Sequence, residues 1–475
     1  MEKKNRVPVP TEAELIECRS IAQENSAFSC ILSIYSDPHA NIGICIPNSA
    51  AYINWLTACY KSGRVAVPIF FGSSKQEILN TVFSCDLQVL VYSPELDMSY
   101  LMDRCEAGLT LVNCETLQVI SNEKSRPVSK APDGTAIMIS TSGSVDNPKR
   151  VMLSAANVLT NARDIIDSLS YQPSDVFMVI LPACFASANT SQIAAAFVLG
   201  AKLVTYRGIL HPAKIASCIQ KYGVTTITVT PPLFKLIVES PAFTYEKLPT
   251  LKTICFGGGP TDIETIERAR AKFSGINLTQ MYGQTETSTR ISHMRLQKDS
   301  WISASVGKPI GNMKVRIADN VGNILPTGSE GRIQVRGDSI FSGYYNQPEL
   351  TAEAFVDGWL NTGDIGKLDA VGNIYITGRE RNLIIYCGFN VYPEEIENVL
   401  VSMEGIEDAL VYGETHPQFG EIIIADVQLQ DGAEVGTNEV LQHCRRFLPT
   451  HKIPAEIHFV SSLKKTPNGK KARKK

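Results

Sequence analysis

The sequence predicts an α/β protein with a large N-terminal domain and a small C-terminal one, and three observations carry that prediction. Short apolar β-type runs alternate with amphipathic helix-like stretches from Ile42 to Phe256. Glycine and turn residues become dense after Val306, and a compact helix–strand–helix pattern follows Gly378-Arg379. Strands alternating with helices imply parallel-rich sheets with helices flanking both faces. The chain has 475 residues, and at ~100–200 residues per domain that length suggests two or three domains.

The elements follow in order. Asn41-Ile-Gly-Ile-Cys-Ile46 reads as a strand, Ser49 to Ser62 as a helix, and Val65-Ala-Val-Pro-Ile69 as a second strand. The same rhythm predicts strands at Ala136–Ser140, Phe177–Leu181, Lys202–Tyr206, Thr225–Val229 and Lys252–Phe256. Beyond Val306, glycines at 307, 311, 322, 328, 331, 337 and 343 punctuate β-rich pieces such as Arg332–Arg336, which predicts a β subdomain closing the large domain. A helix from Pro393 to Met403, a strand from Glu421 to Gln428 and a helix from Thr437 to Leu448 predict a separate α+β domain. Seven of the twelve residues from Lys464 to Lys475 are Lys or Arg, which reads as a solvated tail apart from Lys470.

Composition narrows the function classes. With 44% hydrophobic and 20% charged residues the chain is globular, not disordered or fibrous. A net charge of −3 argues against binding nucleic acid through its phosphates. The charged, proline-bearing N-terminus predicts no secretory signal, and no run approaches the ~18 apolar residues of a membrane span. Twelve cysteines without a Cys-x-x-Cys pair read as reduced thiols of a cytoplasmic protein. Seven histidines without a His-Glu-x-x-His spacing argue against a zinc enzyme.

Four segments carry chemistry. Ser140-Thr-Ser-Gly-Ser-Val-Asp-Asn-Pro-Lys149 follows a strand. Its hydroxyls, backbone N–H groups and lysine suit a polyphosphate, although it lacks the Gly-Lys-Ser/Thr ending of a P-loop. Gln280-Met-Tyr-Gly-Gln-Thr-Glu286 gathers an aromatic ring, a glycine, a hydroxyl and a carboxylate, which fit a nucleotide and its Mg²⁺. In Trp359-Leu-Asn-Thr-Gly-Asp364, followed by Gly378-Arg379, Asp364 is placed to grip ribose hydroxyls. Pro467-Asn-Gly-Lys470 lies near the C-terminus. Taken singly, Tyr282 reads equally as a core aromatic, Asp364 as a turn residue, Arg379 as a surface ion pair and Lys470 as one more tail lysine.

Together these segments, with Phe256-Gly-Gly-Gly-Pro260 and the stretch from Gly378-Arg379 to Glu397, resemble the adenylate-forming superfamily of acyl-CoA synthetases, nonribosomal-peptide adenylation domains and luciferases. The resemblance runs from about Ile42 to Lys470. It implies an ATP- and Mg²⁺-dependent ligase that converts a carboxylic acid to acyl-AMP, releases pyrophosphate, and passes the acyl group to a thiol. Catalysis of that kind is mostly positioning and charge neutralisation. The resemblance places Thr141, Ser142, Gly143, Ser144 and Lys149 around the phosphates, and Gly257, Gly258, Gly259, Tyr282 and Gly283 about the adenine. It gives Thr285 a contact to the α-phosphate, Glu286 the Mg²⁺, and Asp364 with Arg379 the ribose. Lys470 would bridge the acid carboxylate and the α-phosphate. Arg381 stands at the hinge position, dividing a large domain of residues 1–380 from a mobile lid of residues 381–475.

The loop departs from the family pattern at Val145, Asp146 and Arg150. A carboxylate ~4 Å from a phosphate charge costs up to ~4 kcal/mol at an effective dielectric of ~20, less whatever Mg²⁺ and Arg150 return. The loop therefore either binds ATP weakly or points Asp146 outward. For the acid, Phe185, Ala186 and Phe256 form the expected pocket. Ala186 cannot pair with an ammonium, which disfavours a free α-amino acid and leaves a fatty or aryl acid. Coenzyme A is the expected acceptor, and the phosphopantetheine of a carrier protein the alternative. A second alternative is a degenerate nucleotide- or acyl-binding protein, against which the retained Lys470 argues.

Overall fold

The computed structural model describes residues 13–24, 26–104, 108–121, 131–141, 149–297, 302–386, 389–416, 420–464 and 471. Two eight-stranded sheets dominate the large domain. In the first, Val65–Pro68, Asn41–Cys45, Leu87–Tyr92 and Thr110–Asn113 run parallel, and Thr135–Ser140 joins parallel to Val65–Pro68. Antiparallel Arg150–Ser154 and Gly343–Tyr344 extend one edge. In the second, Lys202–Tyr206, Val176–Val179, Thr226–Val229, Thr253–Gly257 and Asn277–Tyr282 are parallel neighbours. Central strands such as Leu87-Gln-Val-Leu-Val-Tyr92 are almost continuously apolar because helices cover both faces.

Helices Ala50–Lys61 and Ala155–Leu169 bury Trp55, Leu56, Ile165 and Ile166 in one core that also takes strand residues of both sheets, among them Ile42, Ile139, Phe177 and Val179. Lys75–Ser84 packs on the outer face of the first sheet. Pro212–Tyr222, Pro231–Glu239 and Ile263–Lys272 pack on the outer face of the second. The two large sheets are thus layered helices, sheet, helices, sheet, helices. Local chemistry fixes where helices begin: Ser49 caps the first of these through Tyr52 N–H, and Ser74 with Glu77 forms a capping box.

A five-stranded antiparallel sheet of Lys314–Ala318, Gly331–Arg336, Phe355–Val356, Trp359–Leu368 and Ile374–Arg379 forms the β subdomain. A fourth sheet holds Ile384–Tyr386, Phe389–Val391, Ile406–His416, Gly420–Leu429 and Glu456–Val460, with helices Pro393–Val401 and Thr437–Phe447 against it. Among the described residues, its core draws only on those from Ile384 onward.

The expected elements recur within a residue or two, and Lys202–Tyr206 matches at both ends. The strand Ala13–Glu17 was not among them. It pairs antiparallel with Lys202–Tyr206, an edge contact that no periodicity of its own announces.

Candidate active site

Tyr282 is the last residue of the strand Asn277–Tyr282 in the second sheet, at the end where open α/β sheets bind ligands. Tyr282 is buried there, and its hydroxyl donates to Asp364 Oδ2 at 2.7 Å. Arg379 Nε meets the other carboxylate oxygen at 2.6 Å across the pairing of Trp359–Leu368 with Ile374–Arg379. The Asp364 backbone is held in turn, its N–H donating to Thr362 Oγ1 at 3.1 Å. Burial pushes the Tyr282 phenol well up, and the neighbouring carboxylate adds to this. Burial works against the Arg379 charge, but Asp364, Tyr282, Glu286 and Glu394 together outweigh it and raise its pKa. Arg379 thus feels the carboxylates of two separate motifs.

The second cluster centres on Glu286, in the 3₁₀ turn Thr285–Thr287, which also carries the half-buried Thr285. Tyr344 donates its hydroxyl to Glu286 Oε1 at 2.9 Å, and Lys149 Nζ sits 4.9 Å above the Tyr344 ring. The Glu286 carbonyl accepts from Phe341 N–H at 2.8 Å, which fixes the turn against the segment that carries Tyr344. Lys149 therefore reaches Glu286 through an aromatic face, a cation–π contact that sequence reasoning missed. Tyr344 lies in Gly343-Tyr344-Tyr345, and no motif spacing marks it.

Thr141 N–H donates to the Lys149 carbonyl at 3.1 Å, bringing the two ends of the hydroxyl-rich loop together. Ser142, Gly143 and Ser144, like Val145 and Asp146, lie outside the described residues. Arg150 opens the strand Arg150–Ser154. Side chains alternate along a strand, so with Lys149 toward Tyr344, Arg150 points beneath the sheet, where it is buried and donates to Thr81 Oγ1 at 2.8 Å. Arg150 thus has a buried partner of its own, while Asp146 lies outside the described residues.

Gly257, Gly258 and Gly259 follow strand Thr253–Gly257. Gly258 has φ +92°, a conformation that favours glycine. A Cβ on Gly283 would stand 1.8 Å from the Thr289 carbonyl oxygen, so only glycine lets the chain turn back there.

Phe185 stacks on Phe70 at 5.8 Å, and the buried Ala186 leads into a π-helical turn, Ser187–Ile193. Phe256 does not join them. Its ring is fully buried on the other face of the sheet, stacked on Phe234 at 4.0 Å, because alternation sends Cys255 and Phe256 to opposite faces. Its expected place in the acid pocket is corrected to a packing role.

Lys470 lies outside the described residues, as does the side chain of Arg381. Lys471 is described: its Nζ lies 2.7 Å from Asp408 Oδ1, 3.5 Å from the buried Glu397 Oε2 and 2.5 Å from the Ala409 carbonyl. Glu397 also accepts from Val411 N–H at 2.8 Å, so one buried carboxylate ties the chain end to the small domain's longest strand.

The sequence profile of the AMP-binding enzyme family matches residues 27–345, and that of the AMP-binding enzyme C-terminal domain matches residues 395–470. The chain is 32% identical to 4-coumarate–CoA ligase 2 of Nicotiana tabacum, over 92% of this chain and 84% of that one. It is 28% identical to feruloyl-CoA synthase of an Amycolatopsis species, over 89% of this chain and 85% of that one. In fold it is similar to ATP-bound MatB from Rhodopseudomonas palustris, with TM-score 0.85 at 24% identity, over 95% and 91% of the two chains. The two family profiles together span most of the chain and define an adenylate-forming enzyme. This chain belongs to the AMP-binding enzyme family and is an acid–thiol ligase of the AMP-forming kind.

Proposed function

We propose that this protein activates an aryl or other acyl carboxylic acid with Mg·ATP and transfers the acyl group from acyl-AMP to coenzyme A. The observation that carries this reading is a pair of polar clusters built on the one short segment from Tyr282 to Glu286: Tyr282 with Asp364 and Arg379, and Glu286 with Tyr344 and Lys149. Asp364 is 2% exposed and already ion-paired, so it offers a pre-organised acceptor for ribose hydroxyls, with Arg379 holding its orientation. Glu286 supplies a single carboxylate, one oxygen of which is fixed by Tyr344. That donor set fits Mg²⁺, which keeps most of its waters and arrives bound to substrate phosphates. Bound there, the ion would neutralise phosphate charge. Lys149, over the Tyr344 ring, would be the cation for the phosphates, while Thr285 would reach the α-phosphate and Lys470 the acid carboxylate. Thr141, Ser142, Gly143 and Ser144 would complete the phosphate cradle, with Gly257 to Gly259 and Gly283 along the base. Phe185 and Ala186 would flank the acid.

The curated relatives named above are by name a feruloyl-CoA synthase and a 4-coumarate–CoA ligase, which supports coenzyme A over a carrier-protein phosphopantetheine and an aryl over a fatty acid. The small domain keeps its own core from Ile384 onward, and the turn Glu380–Asn382 joins it to the β subdomain. This supports a division into residues 1–380 and 381–475 with Arg381 at the hinge. Nine of the ten described cysteines are buried, and all ten are free thiols, which supports work in the cytoplasm. No helix among the described residues is long and apolar enough to cross a membrane.

Exchange of pyrophosphate into ATP, run without thiol against aryl, fatty and amino acids, tests the proposal. Exchange with aryl acids is expected. Exchange confined to amino acids, or ATP binding with no exchange, would contradict it.

A further inference from the structure

One buried hydroxyl touches both the acid side and the metal side of the site. Thr190 lies in the π-helical turn Ser187–Ile193 and is fully buried. Its Oγ1 stands 2.8 Å from the Ala186 carbonyl oxygen, 2.6 Å from the Ser288 carbonyl oxygen and 2.5 Å from Thr289 Oγ1. The first contact is the usual bond of a helical threonine to the carbonyl four residues back. The other two reach 98 and 99 positions along the chain. A threonine hydroxyl has one proton to give and two lone pairs to accept with. Carbonyls only accept, so Thr289 is the neighbour that donates, and the single Thr190 proton is shared between Ala186 and Ser288.

The two carbonyls belong to different halves of the reaction. Ala186 follows Phe185, the ring stacked on Phe70, and both flank the place proposed for the acid. Ser288 closes the turn that carries Thr285 and Glu286, its N–H donating to the Thr285 carbonyl at 3.1 Å. The backbone beyond that turn is forced. Ser288 has φ +54° and Thr289 φ +108°, and a β-branched residue keeps the second value only under restraint. Ser288 Oγ supplies one restraint by donating to the Ser339 carbonyl at 2.7 Å, and Thr289 N–H another by donating to the Gln284 carbonyl at 3.0 Å. Thr190 adds a third, and it comes from the acid-facing turn.

That turn is itself anchored, so it transmits position instead of yielding. Asn189 Nδ2 donates to the Tyr52 hydroxyl at 2.9 Å and to the Ala183 carbonyl at 3.1 Å, while Ala183 N–H donates to Asn48 Oδ1 at 2.8 Å. Side chains that fix a reacting group from behind set its geometry as firmly as the groups that touch the ligand.

We infer that Thr190 is a positioning residue for adenylation: through its shared proton it sets the Glu286 turn and the Ala186 backbone relative to each other, so that metal carboxylate and acid meet in register. The inference rests on the ligase reading above and adds to it a residue that acts through its neighbours. The test is pyrophosphate exchange with an aryl acid, titrating the acid and free Mg²⁺ in turn. Thr190→Val keeps the shape and removes the hydroxyl, and it should raise both the KM for the acid and the half-saturating Mg²⁺ by about three- to tenfold. Thr190→Ser restores the hydroxyl and should return both to within about twofold of native. If Thr190→Val does not fold, Thr289→Gly carries the comparison. Glycine adopts φ +108° without strain, and loss of the Thr289 hydroxyl loosens the same junction, so both values should again rise by at least about twofold. A lower kcat with both values unmoved, as a smaller folded fraction would give, or a rise in the acid KM alone, would overturn the positioning role and leave the ligase standing. No exchange by the native enzyme with any acid would overturn both.

Discussion

Asp364 accepts from the Tyr282 hydroxyl on one oxygen and pairs with Arg379 on the other, so three residues from three sequence motifs meet at one buried carboxylate. Each oxygen is oriented before any ligand arrives, and that lowers the entropic cost of binding a nucleotide there.

Replacing Asp364 by Asn removes the charge but keeps the shape. A hydrogen bond to a charged group contributes about 1.5–3 kcal/mol, so the KM for ATP should rise by roughly tenfold or more. The KM for the acid should change far less. Initial-rate titrations of each substrate check the separation, and an equal rise in both would mean general damage.

Glu286→Gln keeps the Tyr344 contact within reach while removing the metal-seeking charge. Folding should be nearly unaffected, whereas kcat should fall by about a hundredfold, the order seen when an electrostatic group at a reacting centre is lost. The Mg²⁺ concentration giving half-maximal rate should rise. Rates over a magnesium series, alongside thermal melts, give both readouts.

Arg150 stands in the phosphate-loop sequence yet donates to Thr81 behind the sheet. Arg150→Met should therefore destabilise the large domain by about 1–3 kcal/mol, leaving the Thr81 hydroxyl and the sheet to adjust. At a temperature where the variant is folded, its KM for ATP should stay within about twofold of native. Urea unfolding and ATP titration test the two halves.

His293 links stability to pH. Burial, with Arg290 and Arg295 nearby, lowers its pKa to about 3. The folded protein therefore keeps it neutral, while the unfolded chain takes up a proton near the ordinary value of about 6.5. Its contribution is fully present above that value and declines as pH falls toward 3, by at most about 1.4 kcal/mol per pH unit. Comparing urea midpoints at pH 7 and pH 5 should show a smaller loss for His293→Gln than for the native chain.

The sequence made the parallel strands legible because apolar runs of four to six residues, bounded by helix caps, leave few other structures open. Asp364, Arg379, Tyr282 and Glu286 were legible because each sits in a short motif at a strand end. Tyr344 and Lys471 were not, since their contacts join segments far apart in sequence: Tyr344 meets Glu286 58 positions away, and Lys471 meets Glu397 74 positions away. Phe256 misled because a residue's motif does not reveal its face of the sheet, whereas pleating does.

The central claim is a covalent acyl-AMP intermediate made before any thiol is present. Mixing the enzyme with an aryl acid and ATP labelled in the α-phosphate, then quenching within one turnover, tests it directly. The account predicts label in acyl-AMP equivalent to the enzyme sites, chased to AMP and acyl-CoA when coenzyme A is added. Label remaining in ATP, or appearing as ADP, would contradict it.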